Sequence, residues 1–482
     1  MKNNFIFKSA FFGIFFLASS SFAQQLWTLE QCVAHALTKN VSVQNTELDV
    51  RLAEINQTGA KAAFLPSVNG SANHSWNVGL NQNITTGLLQ NQTTQFSSVA
   101  LQANVDIYRG LEKQYSLRRS NLALHASRYQ LQKMKDDISL NVINAYLQIV
   151  FNKENLRVQE QQFDYDKKQY ERTKNLVDVG SVPKGDLLDI SATVAKDEQN
   201  VITAQNNLLI SKISLTQLLQ LEDFENFEIV DQGYYSNQES SILLENASAI
   251  AQRAKETRAE IKIAESNIEL AKRDLKISRS RFQPSLTAYY NFNTRAAYSD
   301  RVVGYSPNVN NPFSVIGTVQ GSGENVIAPN VSPILGGPLD VWKQFDNNKG
   351  HSYGLSLSIP IFNGLSTRNN VERSKVAVKR AELSYELETQ NLEKKVYTAY
   401  ADTKAALKAY EAAEQTLSFR EQSFEYARER YEVGLLNVFD YTQVQTLYVN
   451  AQSEALRTKY DYIFKTKILE FYFGIPVTEL TK

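Results

Sequence analysis

The chain has 482 residues, with 51 basic and 51 acidic side chains, so its formal net charge is zero. This balance gives no long-range attraction to nucleic acid, and a hydrophobic content of 43% excludes a disordered chain. A single cysteine excludes a disulfide framework within the chain, and the four scattered histidines have none of the spacings that metal sites use.

The first predicted element is a secretory signal peptide, residues 1–23. Two lysines flank the start of an apolar run, and Ser21-Phe22-Ala23 supplies the small residues that a signal peptidase reads. The run is shorter than the about 20 residues that a spanning helix needs, and no later segment reaches about 18 apolar residues. The exported chain is therefore expected to be either soluble or a β-barrel. Cys32 follows the predicted cut by nine residues, and we expect a small buried thiol within a helix.

The rest of the chain contains the same pattern twice. Residues 105–111 align with residues 359–365 at an offset of 254, whereas Phe64-Leu65-Pro66-Ser67 aligns with Phe282-Gln283-Pro284-Ser285 at an offset of 218. The difference of 36 residues predicts an insertion in the second copy. We place it at 297–350 as an extracellular loop, because this stretch is rich in Gly, Asn, Ser and Pro and lacks a period. The predicted domains are repeat one at 24–222, a linker at 223–240 and repeat two at 241–482.

Each copy is predicted to contain a long coiled-coil helix followed by a shorter returning helix. In copy two, mostly apolar residues from Tyr385 to Tyr431 step by four and three residues in alternation, and the offset of 254 carries this stripe into copy one, where Asn152 and Asp166 interrupt it. A repeat of 3.5 residues is typical of a left-handed coiled coil. A helix of about 67 residues is on the order of 100 Å long, more than a compact domain needs. The predicted helices span 112–178 and 186–220 in copy one, and 366–432 and 440–473 in copy two.

The segments between the helices alternate with a period of two. Tyr353, Leu355 and Leu357 point to one side, and Ser352 and Ser356 point to the other. Such strands are typical of a transmembrane β-barrel with a watery lumen, although a half-exposed soluble sheet gives the same alternation. The predicted hairpins are 67–108 and 285–362. Four strands cannot close a barrel, and open edges are not tolerated in lipid, so we expect other copies of the chain to complete it.

Together these features resemble the TolC-like outer-membrane factors of Gram-negative efflux and type I secretion systems, over essentially the whole mature chain. The duplication, the two Pro-Ser junctions and the segment Tyr-Ala-Arg-Glu-Arg-Tyr-Glu-Val-Gly at 426–434 carry the resemblance. It implies a mainly α fold with a transmembrane β-barrel, in which a homotrimer forms twelve strands in outer membrane lipid and a helical tunnel in the periplasm. It also implies a passive exit channel with no cofactor and no catalytic residue. A periplasmic adaptor protein and an inner-membrane pump, of the RND or ABC type, would open it.

The resemblance also assigns roles to particular residues. The prolines that mark the transition between helix and strand are Pro66, Pro284 and Pro360. The turns that correspond to the periplasmic tip, where an adaptor docks, are Gly180-Ser181-Val182 and Gly434-Leu435-Leu436. Both glycines are expected to end the long helices as C′ residues.

The family often narrows its tip with acidic residues six and nine positions after this glycine. Copy one has both, as Asp186 and Asp189, whereas copy two has Asp440 followed by Gln443. The resemblance therefore predicts a pore constriction built from three aspartates. Asp186 and Asp440 are also expected to be the N-caps of the returning helices, a role compatible with the constriction.

Three other classes of protein were weighed against the channel. A trimeric coiled-coil stalk has one long parallel helix per chain, whereas here each long helix turns back. A periplasmic adaptor carries one helical hairpin between small soluble β-domains, not two copies with strands. An enzyme is disfavoured because the sequence has no Gly-x-Ser-x-Gly, no phosphate-binding glycine loop and no His-Glu-x-x-His.

Overall fold

The structure, a computed structural model, describes residues 26–82, 87, 89–230 and 241–475. The predicted signal peptide and residues 231–240 of the predicted linker lie outside the described residues. The chain divides into two compact units. The helical unit comprises Met1–Arg51, His125–Ser266 and Leu383–Lys482, and the strand unit comprises Leu52–Leu124 and Asn267–Glu382.

Both copies contain, in the same order, two short helices, two strands of the sheet, a very long helix and a shorter returning helix. Copy one contains β1 (Leu26–Trp27), α1 (Leu29–Lys39), α2 (Val41–Ala62), β2 (Ser67–Gln82), β3 (Leu89–Arg109), α3 (Glu112–Asp178), α4 (Lys184–Leu219) and β4 (Glu228–Ile229). Copy two contains a 3₁₀ turn (Ser241–Leu244), α5 (Ala247–Thr257), α6 (Ala259–Ser280), β5 (Ser285–Ala297), β6 (Arg301–Pro307), β7 (Phe313–Thr318), β8 (Asn325–Pro329), β9 (Val331–Gly336), α7 (Val341–Asn347), β10 (Gly350–Ser358), α8 (Ser366–Glu432) and α9 (Val438–Phe473).

The helices of the two copies have equal lengths. α1 and α5 have 11 residues each, and α2 and α6 have 22. α3 and α8 have 67 residues each, and α4 and α9 have 36. The first two pairs start 218 residues apart and the last two pairs 254 residues apart, so the predicted duplication and both of its offsets are confirmed.

The core of the helical unit follows the predicted apolar stripe. Leu392, Val396 and Thr403 of α8 are at most 1% exposed, and Val142 and Ile149 of α3 are equally buried. Two clusters of buried side chains result, one mainly on copy one with Tyr460 and Phe471 of α9, and one on copy two. Cys32 lies in the first cluster, where burial raises the pKa of its thiol to about 12. Among the described residues, no helix combines the length and the apolar character needed to cross a membrane.

The strand unit contains an antiparallel sheet with the order β10-β5-β3-β2, in which β3 and β5 join the two copies. The register pairs Tyr353 with Tyr290 and Leu355 with Ala288, so apolar side chains share one face. Asn291 pairs with Ser352 and also with Gln102, so the other face is polar. The predicted alternation is therefore confirmed across all four strands.

The predicted insertion is more regular than its composition indicated. Its strands form two separate antiparallel ribbons, β6 with β9 and β7 with β8, and the short helix α7 follows them. The sequence analysis assigned no strands to this stretch, and its place as an extracellular loop stays a prediction. The ribbons consist of short runs of Val and Ile between Gly, Pro and Asn, and runs of about five residues are too short to give a clear period.

The three transition prolines lie beside the ends of the strands. Pro66 directly precedes β2, Pro284 directly precedes β5, and Pro360 follows the last residue of β10 by two positions. In copy one the strand leads into α3 through Gly110, whose φ of 59° is left-handed. A Cβ at this position would lie 2.3 Å from the carbonyl oxygen of Ser280, so glycine is the residue that fits.

Candidate functional site

Both long helices end in the same hydrogen-bonded turn. Gly180 and Gly434 are left-handed, with φ of 72° and 75°. The amide that follows each glycine donates to the helix carbonyl five residues before it, from Ser181 to Leu176 and from Leu435 to Arg430, both at 2.8 Å. This pattern is the Schellman motif, in which a glycine at C′ satisfies the last carbonyls. The predicted role of both glycines in ending α3 and α8 is confirmed.

The returning helices begin differently from the prediction. The N-cap of α9 is Asn437, whose side chain accepts from the amide of Asp440 at 2.8 Å, and the N-cap of α4 is Pro183, which has no capping side chain. Asp186 and Asp440 are therefore third residues of their helices, and their assignment as N-caps is wrong. Asn437 takes the capping position because its amide oxygen reaches the free amides of the first turn. A carboxylate at the third position still lies favourably at the positive end of the helix dipole.

The two turns expose both carboxylates and apolar side chains. Asp189 and Asp440 are exposed and Asp186 is half-buried. Within the described residues, the side chains of Asp186 and Asp189 make no hydrogen bond or ion pair, and Asp440 bonds to the side-chain amide of Asn437 at 2.9 Å. A single chain thus brings two of the three predicted aspartates onto α4 and places the third on α9.

The exposed apolar side chains at these turns belong to both copies. They are large, and each is at least 67% exposed: Val179, Leu188, Val433, Leu435 and Phe439. Isolated exposed apolar residues are ordinary, but a contiguous group of them is typical of a protein interface.

An aromatic cluster holds α9 against α8 and α3. Tyr441 is 2% exposed and stacks on Tyr431 with ring centroids 4.6 Å apart. Phe424 stacks on Tyr448 at 5.1 Å, and the hydroxyl of Tyr165 on α3 is hydrogen-bonded to that of Tyr441. Burial, followed by this hydrogen bond, raises the pKa of Tyr441 far above its ordinary value, so the phenol stays neutral.

Two buried aspartates lie in the packing between α3, α4 and α9. Asp166 of α3 is 0% exposed and Asp197 of α4 is 9% exposed. Gln445 of α9 donates to Asp166 Oδ1 at 2.8 Å, and Gln162 donates to Asp166 Oδ2 at 2.6 Å. Burial, followed by the hydrogen bond and the charge of Asp166, raises the pKa of Asp197 to about 8 against the opposing effects of Gln162 and Lys196. Near neutral pH the carboxyl of Asp197 is therefore mostly protonated.

One sign of this pair is visible in the sequence. Asp166 interrupts the apolar stripe of the long helix, where a charged residue has no reason to lie unless it is paired. Nothing in the sequence around Asp197 indicated burial, because its burial results from the packing of α4 on α3. Among the described residues, no group of three or more His, Cys, Asp or Glu side chains is placed to hold a metal ion.

Comparison with known proteins identifies the same architecture. The family model described as outer membrane efflux protein matches residues 33–220 and 250–472. The outer membrane protein TolC of Vibrio cholerae serotype O1 is 18% identical over 417 residues, which cover 86% of this chain and 84% of that protein. The structure of CusC superposes with a TM-score of 0.74 at 17% identity, covering 93% of this chain and 92% of CusC. The Campylobacter jejuni CmeC outer membrane channel gives a TM-score of 0.73 at 18% identity, covering 92% and 85%.

These matches settle the class of the protein. The two matched ranges correspond to the two copies, and both solved structures share the combination of long paired helices with a strand part. The resemblance and the fold class predicted from the sequence are confirmed, and so is the outer-membrane location. Family and fold are those of passive channels. The chain belongs to the outer membrane efflux protein family and is an outer-membrane efflux channel.

Proposed function

We propose that this efflux channel is a homotrimer that receives its cargo from a periplasmic adaptor and an inner-membrane pump, and that it is closed at rest by aspartates at its helical turns. The observation that best supports a trimer is the pairing of the strands in the sheet. Among the described strands, β2 and β10 each pair on one side only, so the sheet has two open edges. Its apolar face is also uncovered, with Tyr353, Leu355 and Leu357 between 62% and 81% exposed.

Both features favour association with copies of the same chain. An exposed edge with apolar side chains pairs with any available strand, and lipid offers no water to satisfy its amides. Joining β10 of one chain to β2 of the next satisfies both edges, and three chains supply twelve strands, enough to close a barrel. The same arrangement leaves the polar face, with Asn69 and Asn291, toward a watery interior.

Cysteine cross-linking tests this arrangement directly. Ser356→Cys on β10 is combined in turn with Asn69→Cys, Ser71→Cys or Asn73→Cys on β2, all on the polar face. Cys32 is buried, so the introduced thiols report alone. We expect one of the three combinations to give disulfide-linked species up to the trimer, and each single variant to give none beyond a dimer. A monodisperse monomer in detergent, with no cross-linking in any combination, would overturn the trimer.

The constriction is supported by the position of the aspartates on the exposed turns. Three-fold symmetry would place each of Asp186, Asp189 and Asp440 near two copies of itself. Such rings attract cations, repel anions and bind multivalent cations that block the pore. Protonation removes the charge, so low pH should relieve the block.

Planar-bilayer recordings test the constriction. The variant Asp186→Asn/Asp189→Asn/Asp440→Asn keeps the size of each side chain, and we expect it to lose cation selectivity and to need at least tenfold more trivalent cation for half-block. Glu414→Gln, which removes an exposed carboxylate of α8 far along the helix from the turns, is the control and should behave as the unmodified channel. Unchanged selectivity and block in the triple variant would limit these residues to helix stabilisation.

Adaptor docking is proposed at the two turns, Gly180-Ser181-Val182 and Gly434-Leu435-Leu436. The exposed apolar side chains beside them, Leu435 among them, are the support. A photo-cross-linking residue at position 435 in intact cells should form an adduct with a periplasmic protein that carries a helical hairpin. The same probe at exposed position 414 is the control, and equal yields at both positions would contradict docking at the turns.

A further inference from the structure

The short helix α7 has a fixed position on the sheet. It lies at the end of β5 that leads into the insertion, where Gln344 accepts from the amide of Ala297 and donates to its carbonyl, both at 3.0 Å. Thr294 Oγ1 donates to the carbonyl of Phe345 at 2.7 Å. Asp340 caps the helix by accepting from the amides of the second and third helical residues at 2.9 and 3.1 Å. α7 is therefore attached through its own backbone and side chains to a paired strand.

The helix covers the apolar face of the sheet only at the end of β5. Thr294 and Ala296 are 6% and 0% exposed, whereas Asn293 and Arg295, on the other face, are exposed. Side chains two residues apart on a strand share a face, so Thr294 and Ala296 continue the row that begins at Leu286. α7 therefore packs on the same side as the exposed apolar residues of β10.

One large side chain of α7 has no cover. Trp342 is 78% exposed, and its ring makes an edge contact with Phe345 at 6.0 Å between centroids. The neighbouring Lys343 is also exposed. A tryptophan combines an apolar ring with one hydrogen-bond donor, and it is enriched where a membrane meets water. A lysine beside it extends a long stem whose charge reaches the headgroups.

The level of α7 along the strands fits the edge of a bilayer. From Leu286 to Thr294 the strand rises about 26 Å, which becomes roughly 20 Å along the membrane normal at the tilt of about 40° usual in such barrels. The apolar band of an outer-membrane barrel is about 25 Å tall. Trp76 of β2 lies near the same level. It pairs with Gln95 of β3, and the carbonyl of Gln95 accepts a hydrogen bond from the amide of Tyr298, just past the end of β5. Trp76 is also 60% exposed, on the apolar face.

We propose that α7 is an interfacial membrane anchor, with Trp342 inserted at the boundary between the acyl chains and the headgroups of the outer leaflet. The occupant of this surface is lipid, because the surface is continuous with the apolar sheet face of an outer-membrane protein. The anchor fixes the depth of the sheet in the membrane and holds the base of the inserted ribbons at the surface. It rests on the assignment of the apolar face to the membrane, part of the proposed function, and is independent of the aspartate constriction.

Depth-dependent fluorescence quenching tests the anchor. The chain has three tryptophans, Trp27, Trp76 and Trp342, so three full-length variants with two Trp→Phe changes each retain one reporter. Each is reconstituted in phosphatidylcholine vesicles with bromine either near the headgroup or near the acyl chain end, after its oligomeric state has been checked. Trp342 should be quenched at least twofold more by the shallow bromines than by the deep ones, and aqueous acrylamide should quench it weakly. Trp27, in the helical unit, should not respond to either lipid.

The three reporters separate the possible failures. Quenching of Trp76 by bromolipid without quenching of Trp342 would overturn the anchor and leave the membrane face of the sheet intact. In that case, quenching of Trp342 by acrylamide would show that its ring is exposed to water. Absence of quenching by acrylamide would show that a second chain or another protein covers the ring. Absence of bromolipid quenching at both Trp76 and Trp342 would overturn the membrane assignment of this face and the anchor together.

Discussion

Replacing Asp197 with asparagine should make the channel less sensitive to alkaline pH. The raised pKa of Asp197, about 8 instead of 3.8, means that the folded protein binds more protons than the unfolded chain between these values. The contribution of Asp197 to folding stability is therefore complete below about pH 4. It falls as the pH rises toward about 8 and then levels off. Asparagine keeps a donor that can bond to Asp166 and has no proton to lose.

The size of the effect follows from the shift. One pKa unit corresponds to about 1.4 kcal/mol, so the whole shift sets a ceiling of roughly 6 kcal/mol. Buried charges attract water and relax their surroundings, and part of the shift comes from the neighbouring Asp166, so we expect about 2–3 kcal/mol to be observed. In a chain of this size that amounts to a few degrees in apparent Tm.

Thermal unfolding of the detergent-solubilised protein, followed by circular dichroism from pH 5 to pH 9, measures this difference. The apparent Tm of the unmodified protein should fall relative to that of Asp197→Asn as the pH rises, because every other titrating group is common to both. Glu198→Gln removes the same charge from an exposed neighbour on α4 and should follow the unmodified protein. Parallel curves for the unmodified protein and Asp197→Asn would refute the raised pKa of Asp197.

Three further outcomes are expected. Gln443→Asp gives copy two the second carboxylate that copy one has in Asp189, so bilayer recordings should show higher cation selectivity and block at lower trivalent-cation concentration; an unchanged permeability ratio would remove this position from the constriction. Asn437→Ala removes the cap of α9 and should lower stability by about 1 kcal/mol, seen as a lower apparent Tm, whereas Asn437→Ser should restore most of it. An epitope inserted at Gly321, within the segment 297–350, should bind antibody on intact cells, and binding only after the outer membrane is permeabilised would reverse the proposed topology.

The sequence predicted most of the fold because its signals are long. The stripe of α8 runs from Tyr385 to Tyr431 and a glycine follows it, and both helices of 67 residues, α3 and α8, begin and end where they were predicted. α4 and α9 begin two residues earlier than predicted, at Lys184 and Val438, because the cap belongs to Pro183 and Asn437 rather than to the aspartates. An asparagine and an aspartate three residues apart are both good caps, and only the backbone decides between them.

The remaining features depend on tertiary packing. Asp197 lies in a helix that exposes both polar and apolar residues, so its position in the sequence shows no burial, and its burial against Asp166 requires the pairing of α3 with α4. The exposure of Trp342 likewise depends on where α7 packs, which Gln344 fixes through the backbone of a strand that lies 47 residues earlier. No local pattern of residues encodes either contact.

The equal lengths of the paired helices constrain how this protein can evolve. One residue added to α8 alone would move its turn by about 1.5 Å and rotate it by about 100° relative to the turn of α3. Such a change would misalign neighbouring turns around the axis of the proposed trimer. Insertions are harmless where they enter a strand connection, and the 36 extra residues of copy two lie between β5 and β10. The length of the chain can therefore vary at the strand connections. The turns of the two copies can differ only by substitution, as at Asp189 of copy one and the corresponding Gln443 of copy two.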